Sequence, residues 1–213
     1  FQTLLFYWCI YQFRRRQNRI KKFKSNYKMK KLTFLLLFIA GNMFAQSNSK
    51  FEKTMVKQID LLDKAKAGTD FVNAANAFER IANAETKEWL PLYYQAYALV
   101  LSSNDEKDNV KKDAVLDKAL EIANKADKLS PDNSEIVTLQ SWITSMKIGI
   151  DPATRGQKLG MEAGMLTAHA IELNPENPRP YFLQGTGLLF TPEQFGGGKA
   201  KALPVLEKAI EKF

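Results

Sequence analysis

Lys118-Ala119-Leu120-Glu121-Ile122-Ala123-Asn124-Lys125-Ala126-Asp127-Lys128-Leu129-Ser130-Pro131 decides how this chain folds. Ala119, Ala123 and Ala126 are four and three apart, so in a helix they share one face. A stripe of small side chains lets a second helix come close. Pro131 cannot continue the helix and ends it. Asp132 followed by Glu135 has the capping-box spacing, which predicts Asp132 as N-cap of a next helix with Glu135 at N3.

The same device recurs on both sides. Ala74-x3-Phe78-x2-Ile81, Ala119-x3-Ala123-x2-Ala126, Ala163-x3-Thr167-x2-Ala170 and Ala202-x3-Leu206-x2-Ala209 superpose, with first positions 45, 44 and 39 apart. Leu129-Ser130-Pro131-Asp132-Asn133 matches Leu173-Asn174-Pro175-Glu176-Asn177. In the second match Asn177 reads as a cap with Pro178 at the first helical position. Helical periods predict eight helices in the body. They run over about 51–66, 71–84 (capped by Thr69 or Asp70), 87–100, 114–129, 133–148, 157–173, 178–190 and from 199 onward. Residues 102–112 read as a loop or frayed helix start, and 149–156 and 192–198 as loops. No segment alternates apolar and polar residues as a half-buried strand does. The fold class is all-α: antiparallel helical hairpins stacked as repeats.

This pattern resembles the tetratricopeptide (TPR) repeat family. The second helix of that family carries small and aromatic residues at this spacing and ends five residues later in Pro. Tyr181, Gln184, Gly185 and Leu188 are similar to its first-helix signature. The resemblance covers most of residues 51–213 and implies a right-handed solenoid of about four helix pairs. The chain departs from the family in period, 39 to 45 residues against about 34, and in Thr86 standing where the first copy would carry Pro. The first helix of the third copy leaves two packing phases open, Val137/Gln140/Ser141 or Ile136/Leu139/Ile143. Carried over, the family's concave groove would use Tyr93 and Tyr97, then Trp142 and Met146, then Arg179 and Phe182. A core role for these same residues stands beside that, since an aromatic stripe at helical spacing is commonly core.

Composition removes the nucleic-acid reading. The chain has 31 Lys+Arg against 23 Asp+Glu, but ten of the basic residues precede Leu32 and no acidic residue precedes Glu52. The body is near neutral and offers no footprint for a phosphate backbone. Cys9 is the sole cysteine and lies in the leader, so the body holds no thiol nucleophile or thiolate metal site.

Met29-Lys30-Lys31, the apolar run from Leu32 to Ala40, and Ala45 have the pattern of a secretory signal peptide over 29–45. The apolar run is shorter than the roughly 20 residues a spanning helix needs. Cleavage near Ala45 would place the protein in the periplasm or outside the cell, with the membrane engaged only through the leader. Residues 1–28 read as a disordered, non-native upstream extension, and 46–213 as the repeat domain.

Candidate chemistry is thin. Gly196-Gly197-Gly198-Lys199 looks like a phosphate loop, but Glu193 and Ala200 stand where a Walker loop needs Gly and Ser/Thr, so it reads as a flexible turn. His169, the sole histidine, has no cysteine or nucleophile elbow to partner it and cannot alone make a zinc site. No carboxylate pair stands out. The expectation is therefore no catalytic residue, no metal, no cofactor, and a non-catalytic TPR-like scaffold or adaptor that holds a protein or peptide in its groove. The alternative is a small-ligand or glycan binder working beside an outer-membrane transport system. The last helix carries Leu203, Leu206 and Ile210 with no stop signal after it. Its apolar face is either that of a fragment or one covered by a partner or by a second copy.

Overall fold

The computed structural model describes residues 37–213, with side chains from Lys50 onward. The upstream extension and most of the expected signal peptide lie outside the described residues. Among those described, every regular element is helical. They are α1 (Leu37–Leu62), α2 (Gly68–Ala84), α3 (Trp89–Ser103), α4 (Asn109–Leu129), α5 (Ser134–Ile148), α6 (Pro152–Leu173), α7 (Pro178–Phe190), a 3-10 turn (Glu193–Phe195) and α8 (Lys199–Lys212). The described residues fall into two units, divided between Lys57 and Gln58. The first ends within α1.

The second unit is a TPR-like stack of helical hairpins. Each helix from α2 to α8 packs on its neighbours in sequence, and α3 touches α5 as α5 touches α7. The first helices of successive pairs thus form one layer. The small-residue stripe explains the close approach. Ala74, Phe78, Ala119, Ala123, Ala126, Ala163, Thr167, Ala170, Ala202 and Ala209 are all buried. Gly185 serves the same end in the last pair: a Cβ there would stand 2.6 Å from Leu206, so only glycine lets α7 meet α8 at this distance.

α5 settles the phase question. Ile136, Val137, Thr138, Leu139, Gln140, Ser141, Ile143 and Thr144 are all buried, so both phases are used. The helix is covered on most sides because it contacts α3, α4, α6 and α7. Its buried polar groups are satisfied, as burial requires. Ser141 Oγ donates to Ala163 O at 2.9 Å and shares a hydrogen bond with Thr167 Oγ1 at 2.7 Å. Gln140 Nε2 donates to Asn124 Oδ1 at 2.9 Å.

Four helix starts, those of α4 to α7, carry side-chain caps, and several starts differ from expectation. Asn133, not Asp132, caps α5, its side chain accepting from Glu135 N at 3.0 Å. Asp132 instead takes a left-handed conformation at φ 58°, which turns the chain after Pro131 and places Glu135 at N2. α2 starts at Gly68, and Asp70 sits inside its first turn, accepting from Ala67 N at 3.3 Å. α4 starts five residues early because Asp108 accepts from Val110 N and Lys111 N. α6 starts at Pro152 under an Asp151 cap. α7 matches the expected Asn177 cap and Pro178 at N1. α1 runs back to Leu37, through the end of the expected signal peptide.

Two predictions arise here. A non-glycine residue in the left-handed region costs about 1 kcal/mol or more, so Asp132→Gly raises unfolding free energy by about 0.5 kcal/mol after glycine's entropy cost. A denaturant melt of both proteins checks this, and an unchanged or lower midpoint contradicts it. The second concerns the pair between α4 and α6. Arg155 Nη1 and Nη2 meet Asp113 Oδ1 and Oδ2 at 2.7 and 2.6 Å. The hydrogen bond from Arg155 holds the Asp113 carboxyl below the usual carboxylate range. A depressed folded-state value means the pair's contribution is present above the unfolded value and lost as pH falls through the folded one. Both side chains touch solvent, so screening keeps the loss in Asp113→Asn to no more than about 1 kcal/mol at neutral pH. That difference closes in acid; melts of the two proteins at pH 7 and in acid should show the gap narrowing.

Candidate functional site

The layer made by α3, α5 and α7 carries the expected groove residues. α3 is a good platform for aromatic side chains because Trp89, Tyr93 and Tyr97 recur every four residues and so share one stripe. The Trp89 and Tyr93 ring centroids are 5.9 Å apart, edge to face. Tyr93 and Tyr97 lie nearly parallel at 6.3 Å. Tyr97 then reaches across to α5, where Trp142 stands at 5.7 Å. A second branch runs from Phe78 on α2, stacked on Tyr94 at 5.3 Å, to Tyr97 at 6.4 Å. Aromatic pairs at these distances each add about 0.5–1.5 kcal/mol beyond area burial.

Of the six expected groove residues, Tyr93, Tyr97 and Trp142 form one continuous row. Met146 follows Trp142 by one turn on the same side of α5. Tyr93 is buried; Tyr97, Trp142, Met146 and Phe182 keep part of their surface in solvent. Arg179 is engaged at the layer's other end. Its Nη1 donates to Glu135 Oε1 and Oε2 at 2.6 and 2.5 Å, a charge-assisted contact between half-buried groups. Glu135 and Arg179 occupy equivalent places in successive repeats, 44 residues apart.

Sequence reasoning missed Glu135 as the partner of Arg179, although the 44-residue repeat spacing signals it. Trp89 and Tyr94 stand outside the six expected groove residues, yet both belong to the aromatic cluster. The four-residue step back from Tyr93 points to Trp89. Reasoning also missed what the hydroxyls do. Thr138 Oγ1 donates to Ser134 O at 2.6 Å, Ser145 Oγ to Ser141 O at 2.9 Å and Thr186 Oγ1 to Phe182 O at 2.8 Å. Each hydroxyl is turned onto the carbonyl one turn earlier in its own helix. Thr138 and Thr186 therefore have no hydroxyl proton left for a ligand.

Where the start of α5 meets α6 and the cap of α7, Ser134 Oγ donates to Ala170 O at 2.7 Å and accepts from Asn177 Nδ2 at 2.9 Å. The α7 cap is thus also the bolt between the third and fourth hairpins. His169 is on α6 with its side chain half exposed, and its Nδ1 lies 3.8 Å from Glu172 in the same helix. It takes no part in the aromatic row. Among the described residues no three His, Cys, Asp or Glu side chains converge as a metal site.

A surface cavity of about 370 Å³ lies apart from the row, between the start of α2 and the end of α3. Thr69, Asn73, Ser102, Asp105 and Val115 line it. The Asp105 side chain lies against Gly68 at the start of α2.

No family model matches the chain, and no curated protein matches it. Solved structures do. The HusA haemophore from Porphyromonas gingivalis is 37% identical, with 76% of this chain and 79% of that one covered and a TM-score of 0.69. The MamA structure MSR-1 C2 is 15% identical, with 78% and 90% covered and a TM-score of 0.43. A further MamA structure is 18% identical, with 76% and 92% covered and a TM-score of 0.33. At 37% identity across more than three quarters of both chains, the chain belongs to the family of the HusA haemophore.

Proposed function

We propose that this protein is a non-catalytic, exported haem-binding protein that takes the porphyrin macrocycle on the aromatic row of α3 and α5. A binding or scaffold role is common ground between the fold and the relative. The choice of haem rests on one observation, the Trp89–Tyr93–Tyr97–Trp142 row in a relative of a haemophore. A porphyrin is a wide, flat, apolar disc. Rings set side by side with a thioether beside them offer it area and dispersion contact. A glycan needs directional donors and acceptors, and an extended peptide needs partners for its backbone. The threonine hydroxyls of this layer already donate within their own helices, which leaves them to neither. Haem here is cargo and not a resident cofactor, so the reading falls within the small-ligand alternative. The adaptor reading predicts a different result in the same experiment. Export through the 29–45 leader would bring the protein to the cell envelope, where a carrier of scarce haem is useful.

Titration of the purified chain with haem tests this, followed by Soret absorption and quenching of tryptophan fluorescence. Saturable one-site binding at about micromolar concentration or tighter is the expected outcome. A chain that shows no saturable change, yet reproducibly retains one protein through crosslinking in the cell envelope, would replace this reading with the adaptor.

A further inference from the structure

The end of α7 and the loop that joins it to α8 each hold out one phenylalanine. Phe190 is 72% exposed and Phe195 74% exposed. They are the exposed phenylalanines among the described residues, and five positions separate them. Other large apolar side chains on the surface are aliphatic or methionine.

The loop is rigid. Gly196 N donates to Glu193 O, Gly197 N to Pro192 O and Gly198 N to Leu188 O, at 2.9, 3.2 and 2.9 Å. Gly196 and Gly198 take φ values of 87° and 100°, open to glycine and strained for other residues. A Cβ on Gly197 would lie 2.1 Å from Thr191 O. Two rings are therefore presented to solvent by a backbone with little freedom to withdraw them. Rigid presentation lowers the ordering cost of docking.

The charges around the tip are uneven. Lys199 and Lys201 are exposed on the first turn of α8, and Lys201 Nζ lies 3.9 Å from the place a Cβ would take on Gly196. The loop's one carboxylate, Glu193, is exposed as well, its Cγ 2.5 Å from a Cβ position on Gly198. Two exposed ammonium groups thus stand against one carboxylate at the tip. Outward, the tip shows aromatic rings beside ammonium groups. This is the chemistry of the interface of an anionic bilayer, where rings enter the acyl boundary and lysines meet the headgroups.

We propose that the Phe190–Gly198 loop is a membrane-docking tip, seated in the headgroup region of an anionic bilayer. It adds a membrane contact to the one expected of the leader and is independent of the haem reading. No described helix is long and apolar enough to cross a membrane, and the tip needs none, because it lies at the surface.

Co-sedimentation of the purified chain with vesicles of phosphatidylglycerol and phosphatidylethanolamine tests it, beside vesicles of phosphatidylcholine alone. Binding to the anionic vesicles is expected, weaker by about ten-fold or more on phosphatidylcholine or in high salt. Phe190→Ser with Phe195→Ser lowers it by about ten-fold or more. Lys199→Gln with Lys201→Gln, both at exposed positions, lowers it by several-fold and guards against misfolding of the first variant. No sedimentation with anionic vesicles at millimolar lipid overturns the proposal. So does full binding by the phenylalanine variant, which would mean diffuse charge attraction only. Phenylalanine-dependent self-association without lipid would assign the tip to a second copy instead.

Discussion

Tyr97→Ala combined with Trp142→Ala lowers haem affinity by about 100-fold, and either change alone by about ten-fold. Each ring removes one flat face from the row. A large side chain contributes about 1.5–3 kcal/mol on full burial, and these two are already part-buried before a ligand arrives. Roughly 1.4 kcal/mol per ring is therefore available to binding, which is a factor of ten. The two rings touch at 5.7 Å, so coupling between them sets how closely the double variant keeps to the simple product. Because the same contact joins α3 to α5, the melting temperature has to be read beside the affinity. Trp142→Phe separates the two roles: it keeps a ring in place and should retain most of the binding. A folded double variant that binds haem as the parent does would remove the row from the site.

The largest stability effect belongs to Gly197→Ala. The added methyl would sit 2.1 Å from Thr191 O, 2.5 Å from Thr191 Cβ and 2.7 Å from Leu188 O. Two of these are backbone atoms and cannot swing aside as a flexible side chain would. Overpacking typically costs 1–3 kcal/mol, occasionally more, and a clash with main chain belongs at the upper end, about 3 kcal/mol. The damage should centre on the loop. Gly198 N and Gly197 N lose their bonds to Leu188 O and Pro192 O, and α8 loses its fixed start. Hydrogen exchange would show faster exchange from Leu188 through Ala202, while α3 and α5 keep their protection. A variant that melts with the parent would mean that the loop's geometry is adjustable.

How far the sequence reached depended on whether a feature was local. The repeat was legible because small residues at fixed spacing, closed by Pro131 and Pro175, leave a helix few alternatives. The Asn177 cap was legible because Pro178 follows it. Asp132 was misassigned because an acidic residue after proline fits both a cap and a left-handed turn, and the choice is made by Asn133 reaching Glu135 N. The early start of α4 was hidden by the charged run around Asp108. α5 could not be phased because a helix surrounded by four others has no polar side to mark its outer face. At the site, the stripes of α3 and α5 were readable one helix at a time. That Tyr97 meets Trp142, and that Arg179 is held by Glu135, are facts between hairpins, and a single-helix period does not contain them.

The layered contacts have one more consequence. α3 touches α5 and α5 touches α7, while among the described residues the α3–α4 hairpin has no contact with α7–α8. Such a stack behaves as a row of dominoes standing close together, in which each piece feels only the next. Stability then divides into terms for hairpins and terms for the joints between them. A ligand lying across Tyr97 and Trp142 would tighten one joint, between the second and third hairpins. The next joint, bolted by Ser134 and Asn177, would keep its own melting behaviour. Cargo could come and go at the middle of the row while the end carrying Phe190 and Phe195 stays unaffected.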